Sequence, residues 1–229
     1  MHTMSYAVSD YPLGPYEFGG NILENDGCDL RGGNNHGSFC QINNQWYLFY
    51  HRGFDNGDFQ RRVCVEKIYF DENGKIGDEN GNLVKMTNHG FNGALDPYQN
   101  VGAVYTRVRV DGFKSSCYLT RNRQKIHLLT DIYDGNCIEF RDFDFKTGAE
   151  DIRFTAVLGA KENGSVDVIL DDPSNTPICN LPVEKIRFSK YNEYSTSVSW
   201  PSGVHTVYLH FNVDTDKPLG SFISFKFCK

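Results

Sequence analysis

Aromatic residues are concentrated in one stretch of the chain, residues 34–52. It reads Asn-Asn-His-Gly-Ser-Phe-Cys-Gln-Ile-Asn-Asn-Gln-Trp-Tyr-Leu-Phe-Tyr-His-Arg. Two runs rich in aromatic and apolar residues flank the short polar turn at 43–45, and this pattern predicts a β-hairpin. Because the two strands of a hairpin run antiparallel, His36, His51 and Arg52 should meet at the same edge. That edge is the first candidate for a functional site.

The composition around the hairpin excludes several classes of protein. The net charge is −6 and the basic residues do not gather into a patch, so a nucleic acid partner is not expected. The sequence shows neither a basic start followed by an apolar run nor a stretch of about 18 apolar residues, so we expect no signal peptide and no membrane anchor. The location stays open: cytoplasmic if the start is genuine, secreted if an upstream signal was lost.

The chain as a whole has an all-β composition, because it combines 13 Tyr, 17 Phe and 22 Gly with no long segment of helical periodicity. The alternation of apolar residues predicts short strands at the spacing of a β-sandwich in the second half. Two further strands are predicted in the first half, Arg61–Phe70 and Leu83–Met86. The strands predicted in the second half are Cys137–Phe145, Ile152–Leu158, Ser165–Leu170, Glu184–Phe188, Thr196–Ser199, Thr206–Phe211 and Phe222–Phe227.

Turn-forming residues divide the chain into two parts. The stretch from Asn88 to Asn100 is rich in Gly, Asn, Asp and Pro, and hydrophobic alternation resumes only near Val104. We therefore predict a first domain at 1–90, a linker at 91–103 and a second domain at 104–229.

The seven cysteines are scattered, with no Cys-x-x-Cys pair and no histidine at zinc-finger spacing. An odd, unclustered set favours reduced thiols, and Cys40, Cys64 and Cys137 lie within apolar strand patterns, where a small buried hydrophobe is expected.

The first part resembles the last portion of the catalytic domain of glycoside hydrolase family 43. The resemblance is carried, in order, by Ser9-Asp-Tyr-Pro-Leu-Gly-Pro-Tyr-Glu, Asn34-Asn-His-Gly-Ser, Trp46-Tyr-Leu-Phe-Tyr-His-Arg and Arg61-Arg-Val-Cys-Val-Glu. It implies the last blade region of a five-bladed β-propeller, hence a partial propeller, from an inverting enzyme that acts on xylan, arabinan or arabinoxylan. Such an enzyme pairs an acid and a base carboxylate roughly 6.5 to 9.5 Å apart.

In the family, those carboxylates come from blades that precede the matched region, so none of the residues here is expected to be the acid or the base. We expect Asp10, Asp29 and Glu66 to be ordinary solvated carboxylates. The resemblance therefore implies a fragment that is inactive alone.

The second part resembles a family 6 carbohydrate-binding module, a jelly-roll-like β-sandwich. The matching segments are Asp134-Gly-Asn-Cys-Ile-Glu-Phe, Phe143-Asp-Phe, Gly164-Ser-Val-Asp-Val-Ile-Leu-Asp and Gly203-Val-His-Thr-Val-Tyr-Leu-His-Phe. The implied partner is a plant cell-wall polysaccharide or oligosaccharide.

The family 43 resemblance assigns roles to three residues of the first part. His36 matches a histidine near the propeller axis that in several relatives helps to hold a metal ion, so it is a candidate substrate-binding residue and a candidate calcium ligand; the alternative is a turn histidine that caps the hairpin. Arg61 or Arg62 matches an arginine that reaches the sugar, and we favour Arg61. A solvated or salt-bridged arginine is the competing interpretation.

In the module, an aromatic pair and an asparagine at one end of the sandwich usually bind the sugar. Here Asp131 falls where one aromatic is expected and Ser221 where the asparagine is expected. Tyr191 or Tyr194 can serve as the other aromatic, and Tyr133 could substitute through a loop shift. The acidic calcium ligand common near the start of such modules is not evident at 107–111.

Three functions therefore remain open: the C-terminal part of a family 43 hydrolase, a non-catalytic carbohydrate-binding protein, and a chain whose first strands pair with another chain and complete its propeller. The sequence leaves the choice between arabinose and xylose undecided.

Overall fold

The computed structural model describes residues 3–24, 35–53, 61–106, 114–119, 125–146, 151–187, 190–199 and 201–228. Within these residues the protein is built from sixteen β-strands and one 3₁₀ turn, Ala103–Tyr105. The all-β prediction is confirmed. No helix in this part of the chain is long and apolar enough to cross a membrane.

The first part of the chain forms a two-stranded sheet and a four-stranded antiparallel sheet. β1 pairs with β2, and β3, β4, β5 and β6 lie side by side in chain order. The predicted hairpin is confirmed as β3 and β4, joined by Asn43 and Asn44 at φ 50° and 63°, the left-handed pair that a two-residue hairpin turn requires. The strands are β1 (Thr3–Val8), β2 (Glu17–Glu24), β3 (Gly37–Ile42), β4 (Gln45–Gly53), β5 (Arg61–Phe70) and β6 (Ile76–Gly77).

A small core holds the two sheets together. Ile22 and Leu23 of β2 pack against apolar residues of the four-stranded sheet, in a cluster with Ile22, Leu23, Leu48, Tyr50, Ile68, Ile76, Val84 and Met86 as its buried members. The prediction of a closing strand at Leu83–Met86 is wrong, because Val84 forms only an isolated β-bridge, with Leu23. Two turns capped by the side chains of Asp71 and Asp78 follow each other so closely that only Ile76–Gly77 remains to pair with β5.

The second part of the chain is a sandwich of two antiparallel sheets. One sheet has the order β10-β15-β12-β13; the other has the order β14-β11-β16-β9-β8, with β7 also paired to β16. The strands are β7 (Val101–Gly102), β8 (Lys114–Leu119), β9 (Lys125–Thr130), β10 (Cys137–Asp144), β11 (Arg153–Ala160), β12 (Gly164–Leu170), β13 (Cys179–Val183), β14 (Asn192–Ser197), β15 (Val204–Val213) and β16 (Gly220–Cys228).

Phenylalanine dominates the space between the two sheets. Phe140 and Phe211 come from one sheet and Phe154, Phe222 and Phe225 from the other, and all five are fully buried. The rings of Phe140 and Phe225 pack across the interface with centroids 4.8 Å apart. Each such ring contributes about 1.5–3 kcal/mol through burial alone, so this core is the main source of the sandwich's stability.

The predicted strands of the sandwich are confirmed with shifted ends, except for Glu184–Phe188. The strand at this place is β13, which ends at Val183, and Ile186 instead donates its amide hydrogen to the carbonyl oxygen of Ala160. β13 contains Pro182, and a proline in the sequence usually argues against a strand. However, β13 lies at the edge of its sheet, where a strand tolerates proline.

Part of the stretch predicted as a linker, 91–103, is built into the sandwich. Val101–Gly102 forms β7, and Ala103 and Val104 are buried in the sandwich core. The Leu95 amide donates to the Asp142 carbonyl oxygen, and the Asp144 amide donates to Leu95.

The five cysteines whose side chains the structure describes are free thiols. Burial, together with the nearby Glu139 carboxylate, raises the pKa of Cys137 to about 11. Burial and the Asp167 carboxylate raise the pKa of Cys179 to about 12. These two thiols are therefore protonated at neutral pH and poor nucleophiles.

Candidate functional site

A cleft of about 600 Å³ opens at one end of the sandwich, and we call it the Tyr191 cleft. It is formed where β9 and β11 end, where β16 begins, and where the chain approaches β14. Its lining residues are Leu128, Thr130, Asp131, Gly159, Ala160, Lys161, Glu162, Lys185, Ile186, Lys190, Tyr191, Pro218, Gly220 and Ser221.

The floor of the cleft is made by two strands that approach each other closely. Gly159 of β11 pairs with Ser221 of β16. A Cβ on Gly159 would lie 2.6 Å from Ser221 Oγ and 2.9 Å from Tyr191 Cδ1. Because Gly159 has no side chain, the Tyr191 ring and the Ser221 hydroxyl can both reach the cleft floor.

Charged side chains surround the tyrosine. The Lys190 ammonium lies 5.4 Å from the centroid of the Tyr191 ring. Lys185 Nζ lies 3.5 Å from Glu162 Oε1, and both residues also line the cleft. An aromatic ring bordered by hydroxyl, ammonium and carboxylate groups suits a sugar, whose apolar ring face packs on the aromatic and whose hydroxyls bind the polar rim.

Of the three tyrosines predicted for sugar binding, only Tyr191 lines this cleft. The Tyr194 hydroxyl donates a 2.6 Å hydrogen bond to the carbonyl oxygen of Glu184, and the Tyr194 ring packs against the sandwich core. Burial is the main cause that raises the pKa of Tyr194. Tyr133 is 41% exposed in the loop after β9 and is not among the residues that line the cleft.

Asp131 and Ser221 both line the Tyr191 cleft. They stand at the positions where a family 6 module usually has one of its sugar-binding aromatic residues and its asparagine. Sequence reasoning missed Lys161, Glu162 and Lys185. The signal was present, since residues 161–164 read as a turn, and a turn that follows β11 lies at the same end of the sandwich as Gly159.

The hairpin edge also appears as predicted. The rings of His36 and His51 meet edge to face with centroids 4.4 Å apart, and His51 Nδ1 lies 3.2 Å from the carbonyl oxygen of His36. Arg61 and Arg62 begin β5 opposite Gly53 and Arg52, at the same end of the sheet. The side chains of Arg61 and Arg62 lie outside the described residues.

His36 is predicted to be a calcium ligand, but the described residues around it do not supply a set of metal ligands. No group of three or more His, Cys, Asp or Glu side chains that could hold a metal occurs in the described part of the chain. Calcium prefers oxygen ligands, and the side chain packed on His36 is an imidazole. We therefore derive no chemical step from a metal at this edge, and residues 107–111 lie outside the described part.

The expectation of a solvated carboxylate at Glu66 is wrong. Glu66 is only 4% exposed and accepts hydrogen bonds from the Tyr50 hydroxyl (2.9 Å), the Thr87 amide (2.8 Å) and the Thr87 hydroxyl (2.5 Å). A buried carboxylate with this set of donors holds β4, β5 and the segment after β6 together. Asp10 is exposed, as expected, and Asp29 lies outside the described residues.

A polar seam joins the first sheets to the sandwich, beside a second cavity of about 640 Å³. Arg141 Nη1 donates to the carbonyl oxygen of Met86 (2.8 Å), and Arg141 Nε donates to the Glu139 carboxylate. His89 Nε2 lies 2.9 Å from Asp142 Oδ2. These contacts bind the segment that follows β6 directly to β10 of the sandwich.

Comparisons with known proteins agree with this architecture. Residues 114–229 match the carbohydrate binding module (family 6). The chain is 29% identical to a xylosidase/arabinosidase of Thermoclostridium stercorarium, over 97% of this chain and 51% of that protein. The chain therefore spans about half the length of this relative.

Two solved structures resemble the fold. A glycoside hydrolase family 43 arabinoxylan arabinofuranohydrolase of Bacillus subtilis, in complex with cellotetraose, superposes with a TM-score of 0.61 and 25% identity, over 98% of this chain and 47% of that chain. A family 6 carbohydrate-binding module of Clostridium cellulolyticum, in complex with xylose, has a TM-score of 0.50 and 21% identity, over 59% of this chain and 100% of that module. The second likeness concerns the sandwich fold alone.

Proposed function

Because this chain belongs to the family 6 carbohydrate-binding modules through residues 114–229, we propose that it binds xylan-type polysaccharides of the plant cell wall in the Tyr191 cleft. One observation carries this proposal: Tyr191, Asp131 and Ser221, which are far apart in sequence, line a single cleft. The relatives named for xylosidase, arabinosidase and arabinofuranohydrolase activity support xylan or arabinoxylan as the polysaccharide.

The chemistry of the cleft supports sugar binding with one aromatic platform. The Tyr191 ring offers a flat apolar surface, and the hydroxyl of Ser221 and the carboxylate of Asp131 offer hydrogen-bond partners for sugar hydroxyls. With one platform in place of two, the affinity for a single oligosaccharide is modest, and several weak contacts along a polymer would strengthen it.

The first part of the chain belongs to the same proposal. We propose that residues 1–90 are the C-terminal portion of a five-bladed family 43 propeller, joined to the module at 104–229 by residues 91–103, the last of which are built into the sandwich. His36 and Arg61 or Arg62 would contact the sugar at the propeller axis. Support comes from the order of the matching motifs and from the likeness to the Bacillus subtilis hydrolase.

We propose that the chain alone binds but does not hydrolyse its polysaccharide, because no residue of its sequence matches the acid or base carboxylate that the family 43 resemblance implies. The buried hydrogen bonds of Glu66 favour this view, because they give a structural role to the buried carboxylate that the structure describes in the first part. The alternative is a dedicated, non-catalytic carbohydrate-binding protein.

The test is native electrophoresis in gels with and without arabinoxylan. The chain should migrate more slowly in the arabinoxylan gel, and Tyr191→Ala should remove most of the retardation. Tyr133→Ala is the matched control, since Tyr133 is exposed but outside the cleft, and it should migrate like the unmodified chain. Equal migration in both gels would overturn the binding proposal, and turnover of aryl arabinofuranosides or xylosides by the pure chain would overturn the inactivity.

A further inference from the structure

Lysine is the most frequent charged residue in the lining of the Tyr191 cleft. The ammonium groups of Lys161, Lys185 and Lys190 line it together with the carboxylates of Asp131 and Glu162. Three positive and two negative groups leave the cleft with an excess of one positive charge, whereas the whole chain has a net charge of −6. A cleft whose charge is opposite in sign to that of the rest of the protein favours a negatively charged ligand.

The three lysines meet where β11 ends. Lys161 is the first residue after this strand, and the Lys185 amide donates to Asn163 Oδ1 (2.8 Å) in the turn that follows it. The carbonyl oxygen of Lys190 lies close to the same strand, because a Cβ on Gly159 would be only 2.9 Å away from it. Each side chain therefore starts from backbone at the cleft floor, so their ammonium groups can reach a common ligand.

These ammonium groups differ in what they contact within the protein. Lys185 Nζ is 3.5 Å from the Glu162 carboxylate, and the Lys190 ammonium lies beside the Tyr191 ring. Lys161 is exposed, and its ammonium makes no hydrogen bond or ion pair to any residue that the structure describes. A neutral sugar offers these groups only hydroxyls, whereas a carboxylate adds an opposite charge to each hydrogen bond and strengthens it.

We propose that the Tyr191 cleft selects sugars that carry a carboxylate, the hexuronic acids, and that Lys161 and Lys190 determine this specificity. The proposal rests on the proposed binding of xylan-type polysaccharides in the same cleft. The sugar ring packs on Tyr191, and its carboxylate accepts hydrogen bonds from the two ammonium groups. Two sources offer this chemistry: a uronic acid side group on a xylan backbone, and a polygalacturonate chain.

The experiment is a calorimetric titration of the full chain with two probes that differ only in charge. One probe is xylotriose that bears a single 4-O-methylglucuronic acid, and the other is the same oligosaccharide with its carboxyl group reduced to a hydroxymethyl group. We expect the acidic probe to bind about tenfold more tightly. Sodium chloride at about 0.5 M should shrink this preference, because salt screens charges that are open to solvent.

Tetragalacturonate is the third probe, and it distinguishes the two sources of the carboxylate. It should bind more weakly than the acidic xylo-oligosaccharide if the ligand is a side group of xylan, and at least as tightly if the ligand is polygalacturonate. Binding of either acidic probe in preference to the reduced one supports selection by charge.

Substitutions test whether the lysines cause the preference. Lys161→Gln combined with Lys190→Gln should lower the preference for the acidic probe to about twofold or less. Lys161→Arg keeps the positive charge and should retain most of the preference. Lys146→Gln is the matched control, because Lys146 is exposed and precedes β11, whereas the cleft lies where β11 ends. This control should leave the preference unchanged.

Each result decides the proposal. Equal affinities for the acidic and the reduced probe overturn selection by charge and leave sugar binding in the cleft intact. A preference that persists in the double variant also overturns the role of the two lysines. If neither xylo-oligosaccharide binds at millimolar concentration, both the selection and the proposed sugar binding are overturned.

Discussion

Gly159 and Tyr191 are in such close contact that a single added methyl group would separate them. A Cβ on Gly159 would stand 2.9 Å from Tyr191 Cδ1 and also 2.9 Å from the carbonyl oxygen of Lys190. The second of these atoms belongs to the backbone and cannot turn aside. The position of the tyrosine platform therefore depends on the absence of a side chain in β11, one strand away from the ring it supports.

Substituting Gly159→Ala should weaken xylo-oligosaccharide binding by about tenfold, or about 1.4 kcal/mol. The added Cβ pushes the Lys190–Tyr191 backbone outward and shifts the platform away from Ser221. Calorimetric titration of the variant measures the loss. In a double-mutant cycle, Gly159→Ala should add nothing to Tyr191→Ala, because both act through the same ring; additive losses would show that Gly159 acts elsewhere.

Glu66 should be one of the most sensitive positions in the first part. Glu66→Ala removes the acceptor for the Tyr50 hydroxyl and for both donors of Thr87, and it should lower the free energy of unfolding by about 3 kcal/mol or more. Tyr50→Phe removes one of these donors and should cost about 1.5–3 kcal/mol. Urea denaturation measures both, and a loss below about 0.5 kcal/mol for Glu66→Ala would show that the buried carboxylate is not structural.

Arg141 should hold the sandwich against the first sheets. Arg141→Met keeps most of the side-chain volume but leaves the Glu139 carboxylate and the Met86 carbonyl oxygen without their donor, at a cost of about 3 kcal/mol. The loss is expected at the seam first, so hydrogen exchange of β5 and of the segment after β6 should accelerate while β11 and β16 stay protected. Uniform acceleration throughout the chain would contradict a local role for Arg141.

His205 should make the sandwich more stable in mildly acidic solution. Burial opposes protonation of the imidazole, but hydrogen bonds to the Asp171 carboxylate and to the Ser202 carbonyl oxygen prevail, and the pKa of His205 is raised. A histidine whose pKa is higher in the folded state than in the unfolded state stabilises the folded state at pH values below its unfolded pKa of about 6.5. This stabilisation disappears as the pH rises through the pKa of the folded state. Unfolding midpoints of the unmodified chain and of His205→Gln should therefore differ at pH 5.5 and converge at pH 8.5. Asp171→Asn removes the carboxylate and leaves the Ser202 carbonyl oxygen, so it should reduce the same pH dependence.

Local patterns were sufficient to predict the strands that alternate clearly and the turns that need special backbone geometry. The hairpin around Asn43 and Asn44 and the strand Arg61–Phe70 are examples, since periodicity and turn chemistry act within a few residues. The strand was predicted at Glu184–Phe188 because apolar and polar residues alternate there as they do in β13. Pro182 argues against a strand at β13, and it is tolerated only because β13 lies at the edge of its sheet.

The site was predictable only in part, for a similar reason. Asp131, Tyr191 and Ser221 could be named in advance as candidates, but the choice of Tyr191 over Tyr194 and Tyr133 follows from packing. Tyr194 donates its hydroxyl hydrogen to the carbonyl oxygen of Glu184, whereas the Tyr191 ring approaches the cleft floor because Gly159 has no side chain. The burial of Glu66 depends on Tyr50 and Thr87, which meet it only in the folded chain.

Sugar binding in the Tyr191 cleft is tested most directly by a nuclear magnetic resonance titration of the isotope-labelled chain with xylohexaose. Binding in the Tyr191 cleft predicts that the largest amide shifts cluster at Asp131, Gly159, Tyr191 and Ser221, and that Tyr191→Ala abolishes them. Shifts confined to the outer face of the other sheet, around Asp167 and Asn180, or no shifts at millimolar xylohexaose, would contradict sugar binding in this cleft.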